Sequence, residues 1–167
     1  QHYTSGKLLE AADICKSLLQ EEPNEPTALQ LLGCIFYESG NSQVGLNLIT
    51  QALLIRPNLA EAHYNLGNIF LKRGRVEEAN KSYKRAITID HNYAEAYNKL
   101  GSVNEQLGKF DDAVKSYHKA LIVKSDFEEA SNNLGNIFFK LGLFSKSVEY
   151  YRKSISINSR SPISQYG

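Results

Sequence analysis

Apolar positions return at helical spacing along almost the whole chain. In residues 60–72 they fall at Ala62, Leu66, Ile69 and Phe70, and residues 77–89 carry a second such stripe. Gly74 separates the two, where a tight turn between helices needs a permissive backbone. The pattern then restarts. Gly6, Gly40, Gly74, Gly108 and Gly142 stand 34 residues apart, and Gly33, Gly67, Gly101 and Gly135 keep the same step. A fixed period of this size predicts stacked helix pairs, each burying its apolar face on its neighbours. Small residues at Gly67, Gly101, Ala79, Ala86, Ala113 and Ala120 predict close approach within each pair. Helix starts are expected at Asn58, Asn92 and Asp126, each three residues before a glutamate (Glu61, Glu95, Glu129), in the manner of a capping box.

Framed from residue 60, the repeats share Leu-Gly at the seventh and eighth places and, in most repeats, an aromatic at the eleventh. A small residue follows at the twentieth, then an aromatic at the twenty-fourth in most repeats and Ala at the twenty-seventh. The eighth place holds Gly33, Gly67, Gly101 and Gly135; the twenty-seventh holds Ala52, Ala86, Ala120 and Ser154. This resembles the tetratricopeptide repeat (TPR) over nearly the whole chain. The resemblance implies an all-α fold, a right-handed superhelical solenoid of antiparallel helix pairs. It implies one solenoid over 1–167: a partial repeat at 1–25, full repeats at 26–59, 60–93, 94–127 and 128–161, and the start of a further helix at 162–167. The chain begins and ends inside a repeat and is read as a piece of something longer. Gly45 and Ser147 replace the usual Ala at the twentieth place, and Ser154 replaces it at the twenty-seventh. The twentieth-place changes are expected to weaken local packing a little.

Composition narrows the function. With 42% hydrophobic residues the chain can build one continuous core, and a net charge of +1 sets up no strong field for nucleic acid or an anionic membrane. The longest apolar run, 52–55, is far too short to span a bilayer, so no direct membrane insertion is expected. No secretory signal is seen. Cys15 and Cys34 are expected to be reduced packing thiols of a cytoplasmic protein, with a disulfide between neighbouring helices as the alternative. Attachment to an organelle or membrane through a partner is compatible with that placement.

No nucleophile elbow, P-loop, dinucleotide fingerprint or paired-Cys metal motif is present. Glu77–Glu78 and Asp111–Asp112 are paired carboxylates, but they begin second helices, where they suit the helix dipole. His63, at the bulky fourth place, is read as packed rather than as a ligand. We expect no catalytic residue, no metal and no cofactor.

The resemblance implies that first helices line a concave groove. The groove residues it implies are Tyr64, Asn65, Asn68, Lys72, Asn98, Lys99, Ser102, Glu105, Asn132, Asn133, Asn136 and Lys140. Asn inside a helix costs about 0.5 kcal/mol against Ala, so six of them among these groove places of three first helices invite an explanation. A primary amide carries a donor and an acceptor, so a ladder of them could grip the backbone of an extended partner. Equally, Asn at the sixth and ninth places could bond neighbouring repeats. One known TPR use is argued against. The clamp for C-terminal carboxylates needs cations at fifth and second places, and here the fifth places are Gln30, Tyr64, Asn98 and Asn132 while the second are Thr27, Glu61, Glu95 and Glu129.

The expectation is a non-enzymatic scaffold binding partner proteins or extended peptides in this Asn-rich groove. Two narrower resemblances compete. Residues 60–74, AEAHYNLGNIFLKRG, resemble the TPR arm of O-linked N-acetylglucosamine transferases, which implies a substrate-recruiting arm of a larger glycosyltransferase. The partial repeat followed by four more resembles bacterial TPR-only scaffolds of the magnetosome-associated type, which implies self-assembly on an organelle surface. In either case Phe138, Phe139, Leu141, Phe144, Tyr150, Tyr151 and Ile155 crowd the last complete repeat, and end-to-end packing of chains through the solenoid ends is expected.

Overall fold

The computed structural model describes residues 2–159, with side chains from Lys7 onward. Every element among them is an α-helix: α1 (His2–Glu21), α2 (Pro26–Glu38), α3 (Ser42–Ile55), α4 (Ala60–Lys72), α5 (Val76–Ile89), α6 (Ala94–Gln106), α7 (Phe110–Val123), α8 (Glu128–Lys140) and α9 (Phe144–Asn158). The residues form two compact units, divided between Ile89 and Asp90. The expected further helix at 162–167 lies outside the described residues. The turn implied by Gly6 is not found, because α1 runs through that position as one helix.

Each antiparallel pair is joined by the same turn. Gly40, Gly74, Gly108 and Gly142 take φ of +94°, +71°, +71° and +73°, a conformation that disfavours any Cβ. After α4 the Gly74 amide donates to the Leu71 carbonyl at 3.0 Å and the Arg75 amide to that of Phe70 at 2.9 Å. This is the Schellman closure of a helix end, and the other three turns repeat it.

Helix starts differ from the capping boxes expected at Asn58, Asn92 and Asp126. The N-cap residues are instead Leu59, Tyr93 and Phe127, and none caps with its side chain. The register moves by one because these bulky residues are needed inward. Leu59 packs on the core of the first unit and Phe127 on that of the second. The polar residues shape the turn, as where the Asn92 amide donates to Asp90 Oδ1 at 2.9 Å. At α2 a side chain does cap: Glu25 accepts from the Ala28 amide, and Pro26 sits at the first helical position, where its missing N–H costs nothing.

Within a pair, glycine lets a ring lie on backbone. A Cβ on Gly67, Gly101 or Gly135 would stand 2.7, 2.5 or 2.7 Å from the ring of Tyr83, Tyr117 or Tyr151. The pair α2–α3 has no such ring. There Ile49 approaches Gly33, and Gly45 lies so close to the Gly33 carbonyl that an added Cβ would fall 2.5 Å from it. Gly45 therefore tightens this pair, contrary to the weakening expected. Ser147 is likewise accommodated, buried and donating to the Gly135 carbonyl at 2.9 Å.

In the first unit, Ala12 and Cys15 of α1 pack with Ala28 and Leu32 of α2, and Ile49 of α3 packs with Ala62 and Ile69 of α4. In the second, Ala113, Tyr117, Ala120 and Leu121 of α7 meet Ala130, Leu134, Ile137 and Phe138 of α8. Both cysteines are free thiols. Burial, opposed by a hydrogen bond from Gln30, pushes the Cys34 thiol up to about 11.

Candidate partner-binding face

In the first unit, the candidate residues lie on α4. The Tyr83 hydroxyl reaches across from α5 and donates to Asn68 Oδ1 at 2.7 Å, and the Tyr64 ring leans on the Tyr83 ring with centroids 5.8 Å apart. Burial raises the Tyr83 pKa, so the phenol stays protonated and donating. Lys72 sits over the Tyr37 ring of α2, 5.3 Å from its centroid, a cation–π contact linking two first helices. Asn65 is half-buried beside them.

The second unit is more polar. Asn136 repeats the role of Asn68, accepting from the Tyr151 hydroxyl at 2.6 Å. The middle repeat has Ser102 at that place, and Tyr117 donates instead to Glu105 Oε2 at 3.2 Å. Lys140 of α8 reaches the other oxygen of the same carboxylate at 2.5 Å. Burial first and then Glu105 hold the Tyr117 phenol protonated. Nearer the start of the same two helices, Lys99 of α6 pairs with Glu129 of α8 at 3.2 Å. Asn98 is 1% exposed, so it lies inside the fold rather than on the face, and its Oδ1 accepts from Asn133 Nδ2 at 3.0 Å. Asn132 and Asn136 are exposed on α8, with Phe139 exposed one turn further on.

The implied groove amides thus divide by place. Ninth-place Asn68 and Asn136 hold second-helix tyrosines, and Asn98 and Asn133 tie α6 to α8. The signal for the first set was in the chain: the two repeats with Asn at the ninth place both have Tyr at the twenty-fourth. Glu129 and Phe139 were not among the expected residues. Glu129 stands at a second place, where the carboxylate clamp would need a cation; its charge is taken up by Lys99, and that of Lys140 by Glu105. Among the described residues the face of the second unit offers its lysines already paired with carboxylates.

Among the described residues nothing else assembles reactive chemistry. His63 Nε2 donates to the Pro57 carbonyl, 2.9 Å away. Glu78 pairs with Arg75 at 2.6 Å, and Asp112 lies 3.9 Å from Lys115. Among the described residues no cluster of His, Cys, Asp or Glu could hold a metal ion, and no helix is long and apolar enough to cross a membrane.

Helix pairs repeating every 34 residues, with ring-on-glycine packing inside three of them, define a helical repeat protein of the protein-interaction type. One family profile, described as TPR repeat, matches residues 67–108 and 105–142, and another, described as tetratricopeptide repeat, matches 128–161. Together they span more than half of the sequence, and the chain belongs to the tetratricopeptide repeat family. No curated protein matches it. Among solved structures, a crystal structure of MamA is 27% identical with a TM-score of 0.81, covering 98% of this chain and 95% of that one. MamA from Desulfovibrio magneticus is 20% identical with a TM-score of 0.79, covering 96% and 90%. PilF from Pseudomonas aeruginosa is 20% identical with a TM-score of 0.84, covering 93% and 71%. These last two likenesses concern the fold alone.

Proposed function

We propose that this chain is a cytoplasmic protein-binding scaffold that holds an extended partner segment against its first helices by side-chain amides. The observation that carries this reading is the face of α6 and α8. Exposed Asn132 and Asn136 stand there among lysines whose charge is already neutralised by Glu129 and Glu105. Such a surface suits an uncharged stretch of peptide backbone, to which an amide can both donate and accept. It does not suit a free carboxylate, and we expect no binding of chaperone C-terminal tails. The exposed Phe139 alongside offers an apolar contact for one side chain of the partner. The scaffold acts by binding and catalyses nothing itself.

The test is an affinity pull-down from the source lysate with wild type and Asn132→Ala/Lys140→Ala. Both positions are exposed, so helicity and melting should be unchanged while captured partners are lost. Undiminished capture would move binding off this face. A second reading is a self-assembling scaffold on an organelle surface, favoured by the likeness to MamA over nearly the full length of both chains. Sedimentation that stays monomeric up to high concentration would remove it. The reading as a substrate-recruiting arm of a glycosyltransferase rests on the sequence resemblance.

A further inference from the structure

The turn inside each helix pair stays at the surface when further repeats follow. Its last residue and the first of the second helix are Asn41–Ser42, Arg75–Val76, Lys109–Phe110 and Leu143–Phe144. Asn41 is exposed although α4 and α5 follow it in its unit, and Lys109 and Phe110 are exposed although α8 and α9 follow them in theirs. Exposure at this place is therefore a property of the repeat and not of what comes after it. Three of the four turns put at least one polar residue there, as suits a wetted edge. Leu143–Phe144 is wholly apolar.

Leu143 is 44% exposed and Phe144 60%, and Phe110, one period earlier, is 38% exposed. The α6–α7 and α8–α9 turns lie side by side in the second unit, because Lys140 at the root of one reaches Glu105 at the root of the other. Phe144 meets Phe139 edge-on with centroids 5.6 Å apart, which orients its ring at the turn. Lys109 and Lys146 flank the three apolar residues. Both are exposed, and neither is in a salt bridge among the described residues. The Lys146 ammonium stands 5.5 Å from the centroid of the Phe138 ring. Residues 139–146 contain no acid. Asp111 and Asp112 begin α7, where Asp112 lies 3.9 Å from Lys115.

We propose that this edge of the second unit docks on an anionic lipid surface. Phe110, Leu143 and Phe144 enter the headgroup layer, and Lys109 and Lys146 meet the lipid phosphates. Leucine and phenylalanine beside lysine make an interfacial anchor, since the apolar groups leave water while the ammoniums pair with anionic headgroups. With a net charge of +1 over the whole chain, the apolar contact leads and the lysines add to it. The turn has little to offer a peptide. Its Gly142 and Leu143 amides already donate to the Phe139 and Phe138 carbonyls, at 3.0 and 2.8 Å. Docking is at the surface only, since among the described residues no helix is long and apolar enough to cross a membrane. None of these five residues belongs to the proposed amide face, so either proposal can fail alone.

The test is co-sedimentation of the full chain with vesicles of phosphatidylcholine alone and of phosphatidylcholine mixed equally with phosphatidylglycerol. Binding to the mixed vesicles is expected, weaker on phosphatidylcholine and in raised salt. Leu143→Ser/Phe144→Ser should weaken it at least about tenfold, and Lys109→Gln/Lys146→Gln several-fold. All four side chains are exposed, so melting should stay near that of wild type. The chain has no Trp, so Phe144→Trp puts a single indole at the turn, and its emission should shift to the blue on mixed vesicles. No binding at about 1 mM lipid overturns the proposal. So does binding that the serine pair leaves unchanged, or a bound chain whose Phe144→Trp emission does not move, since either places the lipid contact elsewhere. Equal binding to both vesicle types overturns the anionic assignment. Capture of a protein that needs Leu143 and Phe144, without vesicle binding, would give the edge to a protein partner and overturn the lipid proposal.

Discussion

Gly101→Ala tests whether ring-on-glycine packing holds these helix pairs together. The new methyl would lie 2.5 Å from Tyr117 Cε1 and 2.6 Å from Cδ1. Carbon atoms rest about 3.5–4.0 Å apart, so the ring must retreat by about 1 Å. It has little room, being 1% exposed with Leu134 and Ile137 of α8 in the same core. Overpacking of this kind costs about 3 kcal/mol at its upper end. The retreat also lengthens the 3.2 Å bond to Glu105, worth about 1 kcal/mol. Alanine's better helix propensity returns about 1 kcal/mol. The net expectation is a loss of about 3 kcal/mol, or a Tm lower by about 6–12 °C. Urea unfolding followed by circular dichroism measures it. The decisive comparison is the same substitution in a Tyr117→Leu background, where no ring occupies the space. There Gly101→Ala should be neutral or stabilise by up to about 1 kcal/mol, leaving a coupling of about 3–4 kcal/mol between the sites. Gly108→Ala is the control: its Cβ would meet open space, so only the left-handed backbone matters, at about 1–2 kcal/mol whatever occupies position 117. A Gly101→Ala single variant as stable as wild type would refute the packing argument.

Three further outcomes follow from buried groups. Ser131 is fully buried on α8 and its hydroxyl has no hydrogen-bond partner among the described residues, so Ser131→Ala should stabilise by about 1 kcal/mol in the same unfolding assay. His118 lies edge-on to Tyr150, and burial followed by Lys153 and Lys146 lowers its pKa from 6.5. The unfolded chain then takes up a proton before the folded one, so stability present above about pH 6.5 is lost as pH falls through and below it; His118→Gln should flatten that part of the stability–pH curve. Cys34, with its thiol pushed from 9.0 to about 11, should alkylate about a hundredfold more slowly at pH 8 in the folded chain than in urea, read by peptide mass spectrometry.

Much of the fold was legible because each repeat states its own rules several times. Gly40, Gly74, Gly108 and Gly142 mark turns in sequence and take positive φ in structure. Helix starts were less legible. Asn58 and Glu61 satisfy a local capping pattern, but the position is decided by Leu59, which the core draws inward. Gly45 read as a defect because its benefit depends on Gly33 in another helix, where the two backbones meet. The candidate face divides in the same way. Its helices were read from the period and its places from the resemblance to the tetratricopeptide repeat, since both depend only on spacing within a repeat.

Which amides look outward was decided by partners about 15 or 35 residues away. Tyr83 takes Asn68 and Tyr151 takes Asn136 across a helix pair, while Asn133 takes Asn98 across neighbouring repeats. By itself the sequence determined the repeat, the helices, the turns and the small residues that permit close packing, because these are local and periodic. The tertiary structure decided how each polar side chain is used, because a hydrogen bond needs atoms within about 3 Å, and a period in sequence sets no such distance between helices.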